Sequence, residues 1–358
     1  MQASWLRDDI ASLTQIFGPS GHEDPVIADF AGRVRAAGFN PVVDPLGNVI
    51  VRVRSAEPGW PTVAVAAHLD EIGVAVTEIG SGWVRIGSIG GIHETVLPGQ
   101  VLHFRTDRGE LVEGHVSVSS AHLVTPGQPA EAKVEDARVD LLMTSAAELE
   151  QAGISLGTPG VFAGAFFQRG DLIRAKALDD RAGIAVLLAL LRTVPELPNG
   201  PGLTVIATIQ EEFSTRGGVV AAQTADPDIL ICLDIAPTGS MADEGAKPRL
   251  GGGPVVYRYS QGRSGGGLIP NPRLAAYVAQ VAAAHSIPLS PSTLSGGYSD
   301  AAFMQYAAGG IASVDLAFPI RNAHTAVEVG HLHDLQLLAE LLHCLLADLP
   351  QDPGLGRG

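Results

Sequence analysis

The chain has only two cysteines, Cys232 and Cys344, and both lie inside apolar runs, Ile229-Leu230-Ile231-Cys232-Leu233 and Leu341-Leu342-His343-Cys344-Leu345-Leu346. They read as buried free thiols, so a disulfide framework is excluded. Charge is also scarce, with Asp, Glu, Lys and Arg making up 17%, below the usual level of about a quarter. No stretch gathers Lys and Arg into a basic face, and the formal net charge of -15 repels phosphates and anionic lipid headgroups. Neither nucleic acid nor a membrane is an expected partner. No apolar run approaches membrane-spanning length, and Met1-Gln2-Ala3-Ser4-Trp5-Leu6-Arg7-Asp8-Asp9-Ile10 has acids where a signal peptide needs an apolar core. The expected location is cytoplasmic. Internal repeats are missing too. The clusters Gly251-Gly252-Gly253 and Gly265-Gly266-Gly267 lack the lysine and hydroxyl of a phosphate loop and are expected to permit turns near a substrate cleft.

What is present is apolar material, 46% of 358 residues, enough for a substantial core and more than one domain. The 43 glycines and 24 prolines imply many tight turns. Residues 6–17 and 25–37 have helical apolar spacing around a Gly18-Pro19-Ser20-Gly21 turn, and Val42-Val43 and Val49 to Val53 flank a hairpin signature. From about 74 to 165 the pattern changes to short alternating segments broken by glycines, a small β-rich insert. Beyond it a helix from roughly 181 to 193, strands at 203–209, 229–233 and 311–318, and helices at 270–286 and 335–346 alternate. Such alternation implies an α/β sheet. The expected organisation is a discontinuous α/β domain of residues 1–73 and 166–349, a β-rich insert of 74–165, and a flexible Pro/Gly-rich tail of 350–358.

Polar, metal-competent residues recur where apolar strands end. His68 and Asp70 follow Val63 to Ala67, Glu211 and Glu212 follow Val205 to Gln210, and Asp234 follows Ile229 to Leu233. Asp179 and His324 sit similarly after the 172–177 and 311–318 segments. In open α/β sheets, ligands bind beyond the carboxyl ends of the strands, so these side chains are able to converge. Carboxylates and imidazoles are the usual donors for zinc, cobalt or manganese, and a single carboxylate between two ions lets them approach despite like charge.

Ala67-His68-Leu69-Asp70-Glu71-Ile72-Gly73, Ala177-Leu178-Asp179-Asp180-Arg181-Ala182-Gly183, Gln210-Glu211-Glu212-Phe213 and Asn322-Ala323-His324-Thr325 resemble, in order and spacing, the signatures of the M42 metallo-aminopeptidases of the glutamyl and tetrahedral type. Gly18-Pro19-Ser20-Gly21, Gly47-Asn48 and Val327-Glu328-Val329 extend the resemblance over nearly the whole chain. It implies a mixed-sheet co-catalytic metallopeptidase domain with the small β-rich domain inserted, hydrolysing N-terminal residues from peptides. His68, Asp179 and Asp234 would hold one divalent ion, and Asp179, Glu212 and His324 the other. Zinc and cobalt are the leading choices, with manganese as a further option. Glu211 would take a proton from the attacking water and return it to the leaving amine. Asp70 would fix the His68 tautomer without being a ligand, and the Asp179-Asp180 peptide would be cis. The resemblance also implies that residues 1–73 and 166–349 form the catalytic domain, that 74–165 is a dimerisation domain, and that dimers build to a dodecamer.

Singly, each residue has an ordinary reading: a strand-end histidine, a helix N-cap pair, a solvated acidic step. Their conjunction in order favours the metal site. The remaining histidines, including His331 and His333, read as structural, and His122 is a weaker candidate for reaching the site. Tyr298-Ser299-Asp300 and Phe213-Ser214-Thr215-Arg216 depart from the family pattern in loops expected to line the substrate pocket. A deacylase or carboxypeptidase with the same metal cage is the alternative reading.

Overall fold

A computed structural model describes residues 3–118, 122, 133–239, 248–263 and 265–356. The strands Gly202–Thr208, Thr62–His68, Ile229–Pro237 and Ala312–Ile320 lie side by side in that order and run parallel. They are nearly unbroken apolar runs because both faces of this sheet are covered. Val63, Val65 and Ala67 face a large core built with helices Ala3–Leu13, Asp24–Ala36, Leu178–Thr193, Pro272–Ala284 and Leu332–Ala347. Ala64 and Ala66 face the other side, where Ala221, Ala222 and Ala225 of helix Gly217–Ala225 approach. The sheet is mixed: Val49–Arg54 joins one side antiparallel, with the expected hairpin partner Pro41–Val43 outside it, and Val255–Gln261 joins the other antiparallel.

The 74–165 region contains a closed six-stranded barrel, from Gly73–Ile79 to Pro159–Phe162. It has its own core of Val74, Val84, Ile86, Leu102, Phe104 and Val139, among others. Three differences from the sequence reading matter. Strand Ile229–Pro237 runs past Leu233, so Asp234 lies inside it, pointing from its carboxyl half. The helix expected from about 181 begins at Leu178, but Asp179 and Asp180 have non-helical angles and regular geometry starts at Arg181. The tail expected to be flexible is docked as far as Gly356: Asn271 donates to the Leu355 carbonyl at 3.0 Å, and Leu355 packs on the main core. No helix of the described residues is long and apolar enough to cross a membrane.

Arg181 ties these parts together. Fully buried, it donates to the carbonyls of Leu69, of Leu13 at 2.8 Å and of Ile16 at 3.1 Å. A methyl group on Gly18 would stand 2.9 Å from its guanidinium, which explains a glycine in that turn. Arg181 also stands 3.6 Å from Glu71, whose carboxylate grips the Lys176 ammonium at 2.6 and 2.7 Å. Arg181→Met strands these buried acceptors and is expected to lower the unfolding free energy by at least about 3 kcal/mol. A denaturant midpoint equal to that of the parent protein would refute this.

Candidate active site

The parallel registers fix where the functional side chains emerge. Thr208 pairs with His68, and Asp234 with Ala317, so the carboxyl ends of adjacent strands open on one crevice. His68 closes its strand, and Asp179 enters from the first turn of the 178–193 helix, which packs on the same strand. His324 follows strand Ala312–Ile320. Left-handed backbone at Ala177, Gln210, Ser214, Thr215, Asn322 and His324 turns these segments inward, and such strain persists only where the surroundings enforce it. The Asp179-Asp180 peptide is cis.

The Asp179 carboxylate is the centre. One oxygen stands 3.1 Å from His68 Nε2 and the other 3.3 Å from His324 Nε2. His324 Nε2 is also 3.2 Å from Glu212 Oε1. Donor atoms of His68, Asp179 and Asp234 lie within 4.8 Å of one another, and so do those of Asp179, Glu212 and His324. Glu211 lines the cleft beside them. All six residues expected from the sequence to form the ion site and its general base therefore meet in one place.

Asp70 stands against His68 and also does something the sequence did not suggest. His68 Nδ1 faces the main-chain carbonyl of Asp70 at 3.1 Å, with the carboxylate farther away at 3.4 Å. The fully buried carboxylate also accepts the main-chain N–H groups of Glu211 and Glu212, both at 3.0 Å, and the Ser20 hydroxyl at 2.5 Å. The two glutamates sit in a turn beyond the strand end, after left-handed Gln210, so strand alternation does not divide their roles. Sequence reasoning assigned no role to Gly91, whose carbonyl lies 2.7 Å from His324 Nδ1 and leaves Nε2 to face the carboxylates. Nor did it assign one to Glu328, which accepts the main-chain N–H groups of both Asp179 and His324. An acid between Val327 and Val329 was the available signal.

Negative charge exceeds what the imidazoles neutralise. Burial pushes the Glu211 and Asp234 carboxyls well up, and neighbouring carboxylates add to it. Burial also raises Glu212, although His324 opposes the shift. Burial would raise Asp179, but hydrogen bonds from His324 and His68 outweigh it and hold that carboxyl down. Burial would lower His68, but hydrogen bonds to Asp179 and Asp70 outweigh it and raise its pKa. Among the described residues no Lys or Arg pairs with Asp179, Glu211, Glu212 or Asp234. Oxygen and imidazole donors with surplus buried negative charge fit divalent cations.

The profile of the M42 glutamyl aminopeptidase family matches residues 47–341. The chain belongs to this family. It is 32% identical to the lysyl aminopeptidase of Pyrococcus furiosus over 94% of this chain and 95% of that one. A solved aminopeptidase from the archaeon Desulfurococcus kamchatkensis superposes with TM-score 0.90 at 29% identity, covering 98% and 97% of the two chains. The Pyrococcus horikoshii TET1 peptidase, which assembles into a tetrahedron or a large octahedral shell, gives 0.84 at 26%, covering 96% and 100%.

Within this M42 chain the loops that depart from the family pattern do line the cleft, a cavity of about 860 Å³, through Ser214, Thr215, Tyr298 and Ser299. The Tyr298 ring rests on glycines: an added methyl at Gly262 would meet it at 2.2 Å, and one at Gly266 at 2.7 Å. The other cluster is elsewhere, since the Gly251 and Gly253 N–H groups both donate at 2.8 Å to Asp334 at the start of the last helix. His331 and His333 join neither donor group, their rings standing 6.5 Å apart. The surroundings of His122 (119–121 and 123–132) lie outside the described residues.

Asp70→Asn replaces one acceptor oxygen by an amide that confronts an N–H. It is expected to lower kcat by about 10–100-fold with the circular dichroism spectrum retained. Full turnover by the variant would show that this clamp is idle.

Proposed function

We infer that this protein is a metal-dependent aminopeptidase that removes N-terminal residues from peptides. The observation that carries the reading is the Asp179 carboxylate, which presents one oxygen to each of two histidines in two overlapping donor groups. His68, Asp179 and Asp234 would hold one divalent ion, and Asp179, Glu212 and His324 a second. Zinc or cobalt suits this mixture of imidazole and carboxylate donors, and manganese is the further option. Such a pair supplies Lewis acidity, acidifying water and polarising a peptide carbonyl.

The chain's own groups do the rest. Glu211 takes the proton of the attacking water and passes it to the departing amine. Its burial, which raises its proton affinity, suits a group that must carry that proton between the two steps. Asp70 holds the Glu211 main chain so that the carboxylate keeps its place. The cleft walls, with Tyr257, Leu294 and Tyr298, would receive the N-terminal side chain.

Residues 1–73 with 166–349 would form the catalytic unit and 74–165 an insert serving assembly. Leu111, Leu142 and Leu156 expose 57%, 78% and 66% of their surface on that insert, apolar area that a second copy would cover. The assembly of the Pyrococcus horikoshii relative supports a homo-oligomer, with dimers building to a dodecamer. The two buried free thiols suit a reducing, cytoplasmic location.

Glu211→Gln is expected to lower kcat by roughly 10²–10⁴-fold while retaining bound metal, whereas Asp179→Ala loses both ions. Elemental analysis of the two proteins checks the division, and equal metal contents would contradict it. The parent protein should cleave free but not N-acetylated peptides, and chelation should stop it. Cleavage restricted to N-acetylated peptides would end the aminopeptidase reading.

A further inference from the structure

The loop carrying His324 is closed on itself. Arg321 and Val329 exchange main-chain hydrogen bonds at 2.9 Å in both directions, and Thr325 Oγ donates to the Asn322 carbonyl at 2.8 Å. Inside this loop the Glu328 side chain, only 2% exposed, spends one oxygen on the His324 N–H at 2.8 Å and the other on the Asp179 N–H at 3.1 Å. Neither main chain is self-supporting. His324 has φ +61°, Asp179 has non-helical angles in a helix start, and Ala177 before it has φ +53°. Strand Glu328–His331 pairs with Leu172–Ala175, and Ala175 lies opposite Glu328, so the acid is anchored beside the segment that leads into Asp179.

We propose that Glu328 is a positioning residue whose single carboxylate sets the spacing between Asp179 and His324, and so builds the second of the two ion sites without touching an ion. This rests on the two-ion reading above. Because Glu328 holds two members of the Asp179, Glu212 and His324 group but only Asp179 of the other, its loss weakens the second group more than the first. The His68, Asp179 and Asp234 group keeps its own support, the Asp180 carboxylate, which accepts the His68 N–H at 3.3 Å.

The test uses chelator-stripped full-length protein titrated with zinc alone. Wild type is expected to take two ions per chain. Glu328→Gln, which can accept at one N–H but points an amide at the other, should bind its first ion normally and its second about 10–100-fold more weakly. Its kcat at fixed zinc should fall by a similar factor with KM nearly unchanged, and raised zinc should restore it, a rescue that a purely structural role would not give. Glu328→Asp, one carbon too short to span both N–H groups, should behave alike and carries the test if the first variant unfolds. Second-ion affinity equal to wild type in a folded variant, or equal weakening of both ions, overturns the proposal. Wild-type protein that takes up no second ion removes the two-ion reading itself, an outcome visible before any variant is compared.

Discussion

The site depends on one electrostatic constraint: carboxylates gathered in a buried crevice must be held together against their mutual repulsion. Asp179 stands between two imidazoles, and Glu211, Glu212 and Asp234 crowd around it with no Lys or Arg among the described residues to pair with them. Bringing such groups out of water is costly unless a compensating charge arrives. The fold therefore has to supply the scaffold, and bound metal would supply the compensation.

The scaffold is made largely of other carboxylates acting on main chains. Asp70 holds the Glu211-Glu212 turn, Asp180 holds the His68 N–H, Glu23 accepts from Gln210 at 3.1 Å, and Glu328 holds both Asp179 and His324. Each clamp joins segments far apart in sequence. Buried acids thus divide into those that face the crevice and those that steer the backbone of the first kind. Beneath them the Glu71, Lys176 and Arg181 network secures the segments carrying His68 and Asp179. The barrel insert contributes as well, because the Gly91 carbonyl that orients His324 follows one of its strands.

This division bears on how much could be read in advance. The metal-competent residues were legible because each interrupts or ends an apolar run, where a polar side chain needs a special reason. The helices at 272–284 and 332–347 announced themselves by periodicity, and the insert by its short alternating strands. Asp234 was placed one strand-end too early, because Ile235 and Ala236 continue the strand past it. Helix Gly217–Ala225 was missed, since a run opening on two glycines carries little helical signal without its sheet.

Sequence alone determined the chemistry on offer: which residues could bind cations, that they lie near strand ends, and that the chain is α/β with a β-rich insert. Those properties are local, set by residue type and by apolar spacing of two or 3.6 residues. Only the tertiary structure decided that Asp70 clamps a turn, that Glu328 links Asp179 to His324, and that Gly262 and Gly266 exist to seat Tyr298. These are contacts between segments whose separation along the chain carries no periodic signal, and they arise only when the sheet register brings the segments to one edge.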